Sequence, residues 1–163
     1  MFNALINVMP FGDMIATGTL SGEQLLDVLE YAVSALPAES GTFMQVSGLR
    51  FNINQGLPSP VIKDEAAGMF ASIGEGERRV SQVEVLDQQS NTYQPLDKAQ
   101  QYTIATLDYL ILELGGSGIF SCVTPDFKYY GADIEILRHY LETNLGGVIG
   151  AEYSQPQGRI NIK

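Results

Sequence analysis

Residues 21–37 constrain the fold of this chain more tightly than any other stretch. Ser21-Gly22-Glu23-Gln24 reads as a capping box, in which the serine side chain takes a free backbone N–H and the glutamine reaches back. Leu25, Leu26, Leu29, Ala32 and Val33 then recur at helical spacing and form one apolar face. The helix is expected to end near Ser34 to Leu36, before Pro37. The flanking segments read as strands. Met14 to Leu20 is rich in β-branched residues and follows a turn at Pro10-Phe11-Gly12-Asp13, itself preceded by the apolar run Leu5 to Met9. Gly41 to Asn54 reads as extended chain, with Leu49, Phe51 and Ile53 alternating with Arg50, Asn52 and Asn54.

Further along, Val80 to Leu86 is a strand with Val83 and Val85 on one face, and Tyr102 to Leu107 is another. Asp133 opens a second helix whose apolar face is Ile134, Leu137 and Leu141, and which stops by Asn144 to Gly147. Gly158 to Ile162 reads as a last strand. Gln55 to Arg79 is a long loop or an inserted hairpin, and Asp87 to Gln101 is polar and turn-rich. Strands and helices mix without a βαβ rhythm, which assigns the chain to the α+β class, with helices against mixed sheets.

The 163 residues are one domain's worth, and the 45% hydrophobic content excludes general disorder. Nineteen acidic against nine basic residues give a net charge of −10, and the basic pair Arg78-Arg79 follows an acidic stretch. Nucleic acid and anionic lipid are therefore poor partners. No apolar run approaches the ~20 residues of a membrane span, and no signal peptide is visible at the N-terminus. Cys122 is alone, so it forms no internal disulfide, and with a single histidine a Cys/His metal site is excluded.

Candidate chemistry is sparse. His139 lies on the second expected helix with no spacing that suggests a triad, so a surface or packed histidine is the favoured reading. Asp64-Glu65 and Glu75/Glu77 read as solvated loop carboxylates. Gly115-Gly116-Ser117-Gly118 offers backbone N–H groups to an anion, but it lacks the lysine and helix of a P-loop and reads first as a turn. Phe11 in its Pro-Phe-Gly corner and Tyr109 at a strand end are better candidates. Aromatics at loop corners can sandwich a flat ligand, although core packing is the commoner use.

Several segments, taken in order, resemble one family. Ile6-Asn7-Val8-Met9-Pro10-Phe11-Gly12-Asp13 is similar to an apolar-Leu-Pro-Phe-Gly segment, and Leu20-Ser21-Gly22-Glu23-Gln24-Leu25-Leu26 with Leu29-Glu30 to an L-x-G-x-x-L…L-E helix entry. Gly41 to Phe51 is similar to G-x-F-L-Q-V-S-G-L-R-F. Tyr93 to Asp97, Tyr102 to Thr106, Asp108-Tyr109-Leu110 with Gly115 to Gly118, and Gly158-Arg159-Ile160 continue the series over nearly the whole chain. The family is the C-terminal domain of the 5′-nucleotidases, which also include UDP-sugar hydrolases and 2′,3′-cyclic-nucleotide phosphodiesterases.

The resemblance implies a layered α/β/β/α domain that binds the nucleoside part of a substrate. An N-terminal metallophosphoesterase domain carrying two divalent metal ions would do the chemistry. By position, Phe11 and Tyr109 correspond to the aromatics that stack on the base, and Gly41 to a glycine near the base edge. Ser117 stands where the family usually has an aspartate for the ribose hydroxyls, and two extra residues lie in the Ile111 to Leu114 stretch. The family's N-G-G-G-I-R segment and its metal ligands would lie upstream of Met1. Residues 1–163 are therefore read as one domain of a longer enzyme, without its first segment, not catalytic alone, and periplasmic, cell-surface or secreted. The alternative, motivated by Ser117 and the altered loop, is a diverged structural or interaction module that has lost nucleotide binding.

Overall fold

In the computed structural model, which describes residues 2–112, 117–123 and 128–163, the chain begins with α1 (Phe2–Val8), β1 (Met14–Ser21) and α2 (Gly22–Ala32). There follow β2 (Leu49–Ile53), β3 (Val61–Lys63), β4 (Phe70–Ile73), β5 (Val80–Asp87), β6 (Thr92–Pro95) and β7 (Gln101–Leu107). Last come α3 (Asp108–Ile111), β8 (Tyr129–Ala132), α4 (Asp133–Thr143) and β9 (Ile160–Ile162), with 3-10 turns at Ile119–Cys122 and Ala151–Tyr153. The α+β expectation holds, with the sheets ordered β7-β1-β8, β6-β5-β2-β9 and β3-β4. The four-stranded sheet is mixed, because β9 joins β2 in parallel while the other pairs are antiparallel.

The capping box is closed on both sides: Gln24 N–H donates to Ser21 Oγ at 3.2 Å, and Ser21 N–H donates to Gln24 Oε1 at 2.7 Å. Helix α2 touches both β1 and β5. It is covered by two sheets rather than one, so Val28, Glu30 and Tyr31 are buried as well as the expected Leu25, Leu26, Leu29, Ala32 and Val33. Its first residue is a glycine for a steric reason. A Cβ at Gly22 would sit 2.2 Å from the Asp97 carbonyl oxygen, and that loop also binds the helix start through Glu23 N–H to the Lys98 carbonyl at 2.9 Å.

The core joins Ala16 and Leu20 of β1 to the α2 face, to Phe51 and Ile53 of β2, and to Val80 and Val83 of β5. Val83 and Val85 share a face as expected, and a bulge lies just before them. The β2–β5 register shifts between Arg50 and Asn52, and Gln82 in the opposite strand has φ 51°, so the strict alternation of side chains breaks there. Val80 and Val83 consequently both face the core, and Val85 is only half-buried.

Two expectations are corrected. Of the extended stretch 41–54, only Leu49–Ile53 is strand, because the chain turns at Gly41 and Thr42. The polar 87–101 segment contains edge strand β6. Of the two readings of the 55–79 segment, the inserted hairpin holds, as β3–β4. Arg79 is not a surface residue. It is buried, and its guanidinium donates to the carbonyls of Leu57, Val33, Ser34 and Leu36 at 2.7–3.2 Å, the last three just past the end of α2. Glu30, with no exposed surface, accepts the Arg79 and Val80 backbone N–H groups, both at 3.0 Å. Arg78 turns outward to Glu23 and Asp27 on α2, at 3.1 and 2.6 Å.

Candidate functional site

Strand pairing brings the aromatic corners to one end of the molecule. β1 and β7 run antiparallel with Ile15 opposite Leu107, so the start of β1 and the end of β7 lie together. The Phe11 turn leads into that end of β1, and Tyr109 sits in α3 directly after β7. Asp108 joins the two segments. Its Oδ1 accepts the Met14 N–H at 3.0 Å and the Tyr109 N–H at 2.9 Å. From the other side, the Asp133 N–H at the start of α4 donates to the Asp13 carbonyl at 2.9 Å.

Beneath Tyr109 lies a recess of about 220 Å³ whose lining includes Tyr31, Gly41, Thr42, Tyr109, Ser117 and Phe120. Gly41 meets nothing within 4 Å where a Cβ would stand, so its edge of the recess is open. Ser117 is fixed from outside by the β3–β4 hairpin: its carbonyl accepts the Phe70 N–H at 2.7 Å. The Phe70 ring meets Tyr31 edge-on with centroids 6.0 Å apart, and Lys63 Nζ stands 5.5 Å over the Tyr31 ring. The inserted hairpin thus forms one wall of the site.

Three of the four residues singled out in the sequence share this recess: Gly41, Tyr109 and Ser117. Phe11 is not in the lining and is 86% exposed on its turn. Tyr31, Thr42 and Phe120 were missed, because in the sequence Tyr31 and Phe120 look like ordinary core and Thr42 like loop. A second, larger cleft of about 310 Å³ lies on the sheet among Arg50, Asn52, Gln82, Glu84 and Asn161. Its polar groups are spent on each other, Arg50 on Glu84 at 2.6 Å, Asn161 on Asn52 at 3.1 Å, and Asn52 on Gln82. The Tyr109 recess is therefore the better ligand site despite its smaller volume.

The remaining candidates are placed away from it. His139 is exposed on α4 and bonds Thr143 Oγ1 at 3.3 Å within its own helix. Asp64 accepts the Ala66 and Ala67 N–H groups in an exposed turn, and Glu75 and Glu77 are exposed. Gly115 and Gly116 lie outside the described residues. Among the described residues no group of three or more His, Cys, Asp or Glu is placed to hold a metal ion. The resemblance assigns its two-metal centre to an N-terminal domain upstream of Met1, not to these residues.

Residues 2–124 match the family described as the 5′-nucleotidase C-terminal domain. The chain belongs to that family. A curated relative, the NAD 5′-nucleotidase of Haemophilus influenzae, is 29% identical over 134 residues, covering 81% of this chain and 20% of the relative. An apyrase of Tabanus yao is 30% identical over 169 residues, covering 99% of this chain and 26% of the apyrase. Among solved structures, a 5′-nucleotidase precursor from Thermus thermophilus superposes with a TM-score of 0.74 at 25% identity, over 99% of this chain and 27% of that one. The Haemophilus influenzae NAD nucleotidase shares the fold, with a TM-score of 0.70 at 21% identity over 100% of this chain and 26% of that one. This 5′-nucleotidase C-terminal domain thus spans about a quarter or less of the length of these relatives. No helix among its described residues is long and apolar enough to cross a membrane.

The corner of this C-terminal domain beside Tyr109 carries three aspartates. Burial, then Asp133, then Asp108 raise the Asp13 carboxyl above its ordinary 3.8. A carboxyl raised on folding binds its proton more tightly in the native state. Its favourable contribution is complete below the unfolded value and is lost as pH rises through the folded one. Asp13→Asn removes that loss. Melting curves from about pH 3 to about pH 7 are expected to show the variant gaining on the parent as pH rises. A constant or shrinking difference overturns the account.

Proposed function

We propose that this domain binds the nucleoside part of a nucleotide substrate and sets specificity for a 5′-nucleotidase-type phosphohydrolase. What supports the reading is the common recess of Gly41, Tyr109 and Ser117, three residues that the family motifs mark separately. The base stacks on Tyr109. Phe11, which has almost no protein cover, takes the opposite face. The open edge at Gly41 admits the rim of the base, and Ser117 faces the ribose. The partner is an N-terminal metallophosphoesterase domain of the same parent chain, whose two metal ions would supply an activated water. The domain alone orients the phosphate and does not cleave it. The parent is periplasmic, cell-surface or secreted, a reading supported by the likeness to the Thermus thermophilus 5′-nucleotidase precursor.

Titration of the 163-residue chain with adenosine and with uridine, followed by amide shifts, tests the reading. Saturable shifts at Phe11, Tyr109 and Ser117 are expected. Ser117→Asp, which supplies two acceptor oxygens, is expected to tighten binding about tenfold or more, the scale of a charge-assisted hydrogen bond to a hydroxyl. Absence of saturation at millimolar ligand, in both the parent and Ser117→Asp, would favour the diverged non-binding module.

A further inference from the structure

We propose that Asp108 is the positioning residue that sets the spacing between the Phe11 turn and the Tyr109 turn. The inference rests on the nucleoside-binding reading for its functional consequence, and on geometry for the rest. One carboxylate oxygen accepts two backbone N–H groups that are distant in sequence, Met14 at 3.0 Å and Tyr109 at 2.9 Å. Met14 is three residues after Phe11, and Tyr109 carries the second ring. Beyond the Ile15–Leu107 pair the β1–β7 ladder ends, so its own hydrogen bonds do not hold these two segments together. An aromatic pair can clamp a flat ring only at a narrow range of separations, and a clamp held in advance binds more tightly than one assembled by the ligand.

The function needs an acceptor at this point rather than a negative charge. Asp13 and Asp133 already crowd the corner with carboxylates. Asparagine keeps an oxygen of the same reach and removes one of the repelling charges. Alanine leaves both N–H groups without their acceptor.

Adenosine titration and amide hydrogen exchange on the 163-residue chain, D108A and D108N test the proposal. D108A is expected to weaken adenosine binding about tenfold or more and to speed exchange at Met14 and Tyr109 by a similar factor. Phe51 and Ile53 in β2 should keep their protection. D108N should stay within about threefold of the parent in both measurements. Parent-like affinity in D108A, or an asparagine variant as impaired as the alanine one, overturns the proposal. If the parent itself fails to bind adenosine, the nucleoside reading falls, and exchange alone decides Asp108: unchanged Met14 and Tyr109 rates in D108A reject it. Should D108A not fold, D108E takes its place, since the longer side chain displaces the acceptor. Parent-like exchange at both amides in D108E rejects the proposal.

Discussion

Glu30→Ala is expected to melt roughly 6–20 °C below the parent, a loss of about 3–5 kcal/mol. Glu30 has no exposed surface, and its two carboxylate oxygens hold the backbone N–H groups of Arg79 and Val80 at 3.0 Å. Truncation strands both donors where water does not reach. Each unpaired buried donor costs about 1–3 kcal/mol, and two are left at once. Glu30→Gln should fall between, because the amide retains one acceptor and sets an NH₂ against the second donor. Thermal and urea unfolding of the three proteins checks the order. An alanine variant within about 1 kcal/mol of the parent would mean that the site relaxes to bring in water.

Tyr109→Ala is expected to weaken nucleoside binding by about 1–3 kcal/mol, roughly fivefold to 150-fold, with little change in stability. The ring is 42% exposed, so truncation removes stacking surface without opening a core cavity. Tyr109→Phe keeps the π-face and should bind within a few-fold of the parent. The alanine and phenylalanine variants together separate stacking from any contribution of the hydroxyl. Calorimetry with adenosine reads both, and a parent-like dissociation constant in Tyr109→Ala would reject the stacking role.

Local signals in the sequence translated directly into structure. The capping box at Ser21, the Leu49/Phe51/Ile53 alternation and the helix opened by Asp133 are all written in the order of neighbouring residues. Edge strands β6 and β8 escaped because their residues are largely exposed and carry no apolar alternation. The bulge at Gln82 was equally hidden, since it is a property of the β2–β5 pairing rather than of either strand. Arg79 shows the same limit at a single residue. Nothing adjacent to it indicates that four carbonyls and a buried glutamate neighbour await it.

The site divides in a similar way. Gly41, Tyr109 and Ser117 were legible through motif resemblance, and they share one recess. Tyr31 and the β3–β4 hairpin behind it were not, because their place depends on how an inserted segment folds back on Ser117. Asp108 was visible only as a letter in a motif. Its double acceptor role depends on the antiparallel register that sets Met14 beside it.

The parallel seat of β9 beside β2 has a consequence for how this protein is made. Phe51 N–H donates to the Arg159 carbonyl, Gln55 N–H to the Lys163 carbonyl, and Lys163 N–H to the Ile53 carbonyl. The partner that satisfies β2's outer edge is thus translated more than a hundred residues after β2 itself. At a synthesis rate of about 5–20 residues per second, that edge waits roughly 5–20 s for its neighbour. During the wait the nascent chain carries an unpaired strand with Phe51 and Ile53 in it, a template for mispairing with other chains. Holdase chaperones that cover short apolar strands should therefore matter more to the yield of this domain than to its stability once finished.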